Sequence, residues 1–229
     1  KMASLGIMAA GVAHEIGNPL GALRGRLEML ERRLNSGKLD IDKVKETVQL
    51  SISLVDRINR IVKGLRSYAR DGSNDPFSFI DLNELVRDIL ELSKEKARKR
   101  EIQLIEDNLK DNLRLKCRES ELGQVLVNLL NNSFDAIREL PERWVKVSTW
   151  QEQDWVGLAV TDSGSGIPQK IQKMIFDPFI TTKPVGRGTG LGLGICNTII
   201  QSHGGTFDLD THSKNTRFIV RLPRNPQLS

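Results

Sequence analysis

The chain predicts two architectures in series. The first is a helical hairpin that completes a four-helix bundle by pairing with a second copy. The second is an α+β two-layer sandwich. Three observations predict this. Two runs near the start carry apolar residues at heptad spacing. A stretch of turn formers then ends that pattern. Beyond it, strand-like alternation interleaves with amphipathic helices.

From Leu5 to Leu34 the apolar stripe Ile16, Leu20, Leu23, Leu27, Leu30, Leu34 steps by four and three, as on one face of a helix. Asn35-Ser36-Gly37 breaks it. In the second run Ile41, Val48, Val55 and Val62 stand one heptad apart. Val44, Ile58 and Leu65 occupy a companion register with Ser51 as its polar gap, and Leu54, Ile61 and Tyr68 widen the stripe. That width exceeds a two-stranded seam. One hairpin supplies only two helices, so a homodimer is the simplest completion. Packing of the hairpin onto the rest of its own chain is the competing arrangement.

Asp71-Gly72-Ser73-Asn74-Asp75-Pro76 marks a linker, which divides the chain into residues 1–70, 71–76 and 77–229. Asp81 and Glu84 have capping-box spacing ahead of an apolar helix. Glu101 to Glu106 and Leu113 to Cys117 alternate like short strands. Leu122 to Leu140 reads as a strongly apolar helix. Trp144 to Trp150 and Trp155 to Thr161 read as antiparallel strands, and Leu191 to Ser202 as a helix. Thr206 to Thr211 and Arg217 to Leu222 close with a hairpin. The sheet is expected to be covered by helices on one face and open on the other.

Composition narrows the function classes. The net charge is +5, and the densest basic run, Lys94 to Arg100, has no interleaved aromatics. That fits a solvated helix face and argues against nucleic acid as a partner. Cys117 and Cys196 form no C-x-x-C pair, which suggests ordinary burial in a reducing compartment. No apolar run approaches the roughly 20 residues of a membrane span, so direct membrane contact by this segment is not expected. The sequence opens inside a helical pattern, which leaves room for an upstream sensor or span.

One histidine stands out. Gly11, His14, Asn18, Gly21 and Gly25 share one helix face, made bare by its glycines. Glu15 adjoins the histidine, and Pro19 removes a helical hydrogen bond beside it, where a bend is expected. A lone helical histidine is ordinarily a surface residue. This one sits where another protein surface could approach closely. It is no zincin motif, because position 18 holds Asn18 where a second histidine is needed.

Four further clusters follow in the second part. Asn128 and Asn132 share a face of the apolar helix, and carboxamide oxygens are hard ligands suited to Mg²⁺. Asp162-Ser163-Gly164-Ser165-Gly166 ends a strand with a carboxylate and two glycines that let a ligand approach the backbone. Phe176-Asp177-Pro178-Phe179 precedes Ile180-Thr181-Thr182-Lys183; its aromatics alone would read as core anchors. Gly186-Arg187-Gly188-Thr189-Gly190-Leu191-Gly192-Leu193-Gly194 runs into a helix whose N-terminus can cradle phosphates. It is neither a dinucleotide fingerprint nor a P-loop.

Singly these signals are weak. Together and in this order they resemble the N box, first glycine box, phenylalanine box and second glycine box of the histidine-kinase ATP-binding domain. That domain belongs to the gyrase, Hsp90 and MutL ATPase superfamily, with its Bergerat or GHKL fold. The first part resembles the dimerisation and phosphoacceptor domain, whose pattern is H-E-x-x-N-P-L. The likeness runs from about Ala3 to Pro223 and is greatest to the nitrogen-regulatory subgroup with F-x-P-F-x-T-T-K.

The resemblance implies a sensor histidine kinase core that uses ATP and Mg²⁺, is cytoplasmic or the cytoplasmic portion of a membrane-anchored sensor, and acts on a response-regulator receiver domain. His14 matches the phosphorylated residue and Glu15 the acid that orients it. Asn18 matches the position linked to dephosphorylating the regulator. Asn132 matches the principal Mg²⁺ ligand, assisted by Asn128, and Asp162 the carboxylate that binds the adenine amino group. Gly164, Gly166, Ile167, Phe176, Phe179, Thr182, Gly188, Thr189, Gly190, Leu191, Gly192 and Leu193 match positions around the nucleotide and lid. Lys183 and Arg187 match phosphate partners. Two positions depart from the family pattern: Asp135 stands where a basic residue is common, and Arg118 where an acid is common. The other superfamily branches use a glutamate at the position of Asn128 to activate water, so transfer to histidine is favoured over free hydrolysis. A silent dimeric scaffold is the remaining alternative, against which the intact motifs argue.

Overall fold

The computed structural model describes residues 2–36, 40–69, 75–107, 109, 112–181, 183 and 189–226, without the side chains of residues 2–15, 57, 60, 61 and 63–69. The chain divides into two compact units: residues 1–70 with 178–191, and residues 71–177 with 192–229.

The first unit is built on α1 (Met2–Asn35) and α2 (Ile41–Ala69). Arg32 and Arg33 lie in the last turn of α1, where cations complement the helix dipole. Asp40 opens α2: its carboxylate accepts from the N–H groups of Asp42 and Lys43 at 3.1 and 3.3 Å. Those donors, Lys43 first, hold its carboxyl below the usual value. The helix is continuous through Pro19. Ile16, Leu23 and Leu30 of α1 are half-buried, as are Val44, Leu50, Leu54 and Ile58 of α2. Leu20, Leu27 and Leu34, with Ile41, Val48, Val55 and Val62, form a second heptad set that is 44–64% exposed.

The second unit holds β1 (Ser78–Asp81), α3 (Leu82–Lys99), β2 (Gln103–Asp107), β3 (Arg114–Cys117), α4 (Glu119–Ala136), β4 (Trp144–Glu152), β5 (Trp155–Asp162), the short α5 (Gln169–Gln172), α6 (Gly192–Ser202), β6 (Thr206–Leu209) and β7 (Arg217–Pro223). The five-stranded sheet has the order β2-β4-β5-β7-β6, parallel only at β2–β4, while β1 and β3 form a separate antiparallel pair. Burial alternates along β4 and β7: Val145, Val147, Thr149, Phe218, Val220 and Leu222 face the core against the helices. On the open face Trp150 lies on Gly157, its cross-strand partner, where an added Cβ would meet the indole at 2.0 Å. The α+β sandwich expected from the sequence is the fold observed.

Three details differ from the sequence reading. The apolar helix runs from Glu119 to Ala136, three residues earlier at its start and four at its end than its apolar pattern indicated. Glu119 and Glu121 favour the first turn electrostatically. Ile137, fully buried, belongs to the closing turn, where Leu140 N–H donates to its carbonyl. Strand β1 and helix α5 were not foreseen. Each is four residues long, too short to establish a period. Asp81 caps α3 as expected, accepting from the Asn83 N–H at 2.9 Å.

Candidate functional site

The sandwich buries one carboxylate with unusual care. Asp162, at the end of β5, is 2% exposed. Its Oδ1 accepts from the Gly164 N–H at 2.9 Å, and the hydroxyls of Ser133 and Thr216 also hydrogen-bond the carboxylate. Burial pushes the carboxyl above its usual value, and the three donors pull in the opposite direction. The backbone locks the same loop. Asp162 N–H donates to Thr216 O at 2.9 Å, Thr216 N–H to Gly164 O at 3.1 Å, and Asn215 Nδ2 to Gly164 O at 3.3 Å.

The two glycines are required for different reasons. A Cβ on Gly164 would stand 2.7 Å from Asp162 Oδ1 and 2.9 Å from Thr216 Oγ1, so room decides there. Gly166 has φ +89° with open space around it, so backbone freedom decides there.

Ser133 connects this carboxylate to the asparagine face of α4. Its neighbour Asn132 is half-buried, and the Asn132 amide nitrogen lies 3.5 Å from where a Cβ on Gly192 would be. Gly192 is the first residue of α6, so the positive end of α6 lies against the asparagine face of α4 at van der Waals distance. One turn back, the Asn128 Nδ2 is buried with no hydrogen-bond partner among the described residues. A buried unpaired amide costs about 1–3 kcal/mol. The Asn128 side chain reaches the buried Cys196 thiol of α6, a weak hydrogen-bonding partner.

The remaining expected residues fall as follows. Ile167 is half-buried, and its carbonyl accepts from Gln172 Nε2 at 2.8 Å. Phe176 packs edge-on against Phe207 with centroids 5.0 Å apart, and Phe207 continues to Phe218. Phe176 is therefore also a core anchor. Phe179 has φ +69° and donates its N–H to Gly190 O at 3.0 Å. Gly190 has φ +65°, and a Cβ there would lie 2.3 Å from the Phe179 backbone. This clasp joins the two ends of the intervening glycine-rich segment. Lys183 N–H donates to Thr181 Oγ1, and Leu191 N–H to Thr189 Oγ1. Leu191 is buried and Leu193 half-buried. Thr182, Arg187 and Gly188 lie outside the described residues.

His14 and Glu15 lie within α1, their side chains outside the description. Asn18 is exposed on the same helix, and a Cβ added at Gly17, Gly21 or Gly25 would meet nothing within 4 Å. That is the bare face expected from the glycine spacing. Of the two departures from the family pattern, Asp135 pairs with Arg100 at 2.7 Å, and Arg118 joins a cluster treated below.

Sequence reasoning missed Ser133 and Thr216. Ser133 is a polar residue on the buried face of an apolar helix, a signal in itself. Thr216 is found through register: Arg217 pairs with Thr161, which puts Thr216 opposite Asp162.

Comparison with known proteins agrees with this layout. Residues 4–74 match the model of the His Kinase A (phospho-acceptor) domain, and residues 117–226 match the Histidine kinase-, DNA gyrase B-, and HSP90-like ATPase. The two-component sensor PprA of Pseudomonas aeruginosa is 34% identical over 97% of this chain, which spans 25% of that relative. The sensor histidine kinase ZraS of Escherichia coli is 34% identical over 98% of the chain, which spans 47% of it. The chain thus spans about a quarter to a half of these curated relatives.

Among solved structures, the catalytic domain of histidine kinase ThkA is 35% identical with a TM-score of 0.60, covering 66% of this chain and 97% of that one. The structure of ThkA in complex with the response regulator protein TrrA is 30% identical with a TM-score of 0.75, covering 99% of this chain and 64% of that one. The chain belongs to the histidine kinase family.

Proposed function

We propose that this chain is the catalytic core of an ATP-dependent protein-histidine kinase that phosphorylates its own His14 and passes the phosphoryl group to an aspartate of a response-regulator receiver domain. The caged carboxylate of Asp162 beside the asparagine face of α4 carries this reading, because it places a buried acceptor next to carboxamide side chains. On this reading residues 1–70 are the dimerisation and phosphotransfer domain, 71–76 the linker and 77–229 the ATP-binding domain. The F-x-P-F-x-T-T-K run supports the nitrogen-regulatory subgroup. Among the described residues no helix is long and apolar enough to cross a membrane.

In this mechanism Asp162 accepts a hydrogen bond from the adenine amino group, and Gly164 and Gly166 let the base reach the backbone. Asn132, assisted by Asn128, would hold Mg²⁺, which when bound neutralises phosphate charge. The fit rests on the carboxamide oxygens of Asn128 and Asn132, one turn apart on α4, which are hard ligands suited to Mg²⁺. Among the described residues no cluster of three His, Cys, Asp or Glu competes for a metal. The α6 N-terminus would favour phosphate charge, and by their positions in the sequence Lys183 and Arg187 are the expected phosphate partners. A neutral imidazole nitrogen of His14 attacks the γ-phosphorus, the bond to the β–γ bridging oxygen breaks, and ADP leaves. Glu15 hydrogen-bonds the other ring nitrogen and stabilises the imidazolium. A receiver aspartate then displaces the phosphoryl group from nitrogen. His14→Gln should abolish γ-phosphate incorporation while nucleotide binding persists; undiminished acid-labile labelling would refute the assignment.

Asn18, exposed on the bare face, further suits alignment of a water for dephosphorylating the regulator. Asn18→Ala should lower that phosphatase rate by about tenfold or more, the scale of one lost positioning hydrogen bond. Wild-type dephosphorylation by that variant would remove the role.

A further inference from the structure

Arg118 occupies the N-cap position of α4 but makes no side-chain cap. An arginine there forgoes the side-chain cap and puts a cation at the positive end of the helix. Its side chain is committed elsewhere. Nε donates to the Asp75 carbonyl at 2.9 Å, and the guanidinium lies 4.6 Å from the centroid of the Phe77 ring. Ser120 Oγ adds a hydrogen bond to the Asp75 carboxylate. Phe77 packs in turn against His203, ring centroids 5.0 Å apart.

His203, 2% exposed, is the floor of this cluster. Its Nε2 accepts the Arg118 backbone N–H at 3.0 Å, so Nδ1 carries the proton and donates to Ile199 O at 2.8 Å. Glu121 Oε2 stands 3.4 Å from Arg118 Nη1. The residues that end the linker are thus fastened to the start of α4 and the end of α6, the two helices that carry Asn132 and Gly192.

We propose that Arg118 is a positioning residue for phosphoryl transfer: it latches Asp75–Phe77 to the sandwich and thereby shortens the tether between α2 and the nucleotide site. The inference rests on the kinase reading above. Helix α2 ends at Ala69, and the latch begins six residues on at Asp75. At full extension that is a reach of roughly 20 Å. With the contacts of Arg118, Ser120 and His203 all released, the first fixed residue is Ser78, nine residues on, for roughly 30 Å. Effective concentration falls as about the −3/2 power of tether length, so the longer tether alone costs about twofold in encounter with His14, and the lost exit direction adds to it.

The test uses the whole 229-residue chain, measuring ATP affinity and the single-turnover rate of γ-phosphate labelling at saturating ATP. Arg118→Ala in a Ser120→Ala background, which removes both hydrogen bonds to Asp75, should slow labelling by about two- to fivefold relative to Ser120→Ala and leave ATP affinity unchanged. Arg118→Lys in the same background keeps the charge but loses the planar fork, and should behave like the alanine variant. A Gly-Ser-Gly insertion between Gly72 and Ser73 leaves the latch intact and should reproduce the slowing. Full-rate labelling by either Arg118 variant would overturn the proposal, as would ATP affinity falling in step with rate. If the Arg118 variants fail to fold, the insertion decides alone, and an unchanged rate there overturns it. Wild-type chain that binds ATP but never labels would instead overturn the kinase reading, and this inference with it.

Discussion

The hairpin and the sandwich treat their apolar residues in opposite ways. The sandwich closes on itself: Leu82, Leu115, Val125, Leu129, Val147 and Val220 are all 0% exposed. The hairpin buries one heptad set between its helices and leaves the other in water, with Val55 at 44% and Ile41 at 64% exposure. The sandwich is complete as one chain; the hairpin is half of something. The heptad spacing of the uncovered set shows what the other half is shaped like. A partner helix pair with the same spacing would cover it, and we propose that a second copy of the chain is that pair.

The largest expected effect comes from breaking the incomplete region. Val55→Glu puts a carboxylate in the uncovered stripe of each chain, twice per dimer. Burying an unpaired charge costs several kcal/mol, so the dimer dissociation constant should rise by roughly a thousandfold or more. Sedimentation equilibrium checks this, and titration with ATP should find nucleotide affinity unchanged. A variant as dimeric as wild type would mean that the stripe is covered by something other than a second copy.

The difference between the two regions also explains what was legible. Repeating patterns were readable because periodicity is a local property of sequence: the heptads placed α1 and α2, and alternation placed β4, β5 and β7. Asp162 was readable because glycines flank it, and the Gly164 Cβ distances show why they must. Ser133 and Thr216 were not readable, because their role exists only when α4 and β7 are brought to the end of β5. Arg118 illustrates the same limit. As a departure from a motif it had no local explanation, and its partners Asp75, Phe77 and His203 lie 43, 41 and 85 positions away along the chain. Phe176 anchors the core beside Phe207, as the aromatics of its run alone suggested.

A smaller effect sharpens the comparison from the other side. Asp162→Asn keeps the shape of the caged group and removes its charge. Burial holds the carboxyl above its usual value against the pull of the three donors, so the native state holds the proton more tightly than the unfolded chain. The stability linked to that proton is complete below the unfolded value and is lost as pH rises through the folded one. At neutral pH the ionised carboxylate therefore costs the fold stability that the amide does not. Asp162→Asn should melt at a higher temperature than wild type at neutral pH, the gap closing as pH falls below about 4. Its ATP affinity should fall by roughly tenfold or more, since a hydrogen bond to a charged group contributes about 1.5–3 kcal/mol, while dimerisation stays as it was. Thermal scans across pH, paired with ATP titration, check both halves. A variant that melted lower at neutral pH yet bound ATP normally would show that Asp162 is a structural brace. The sandwich would then be complete without any concession to a ligand.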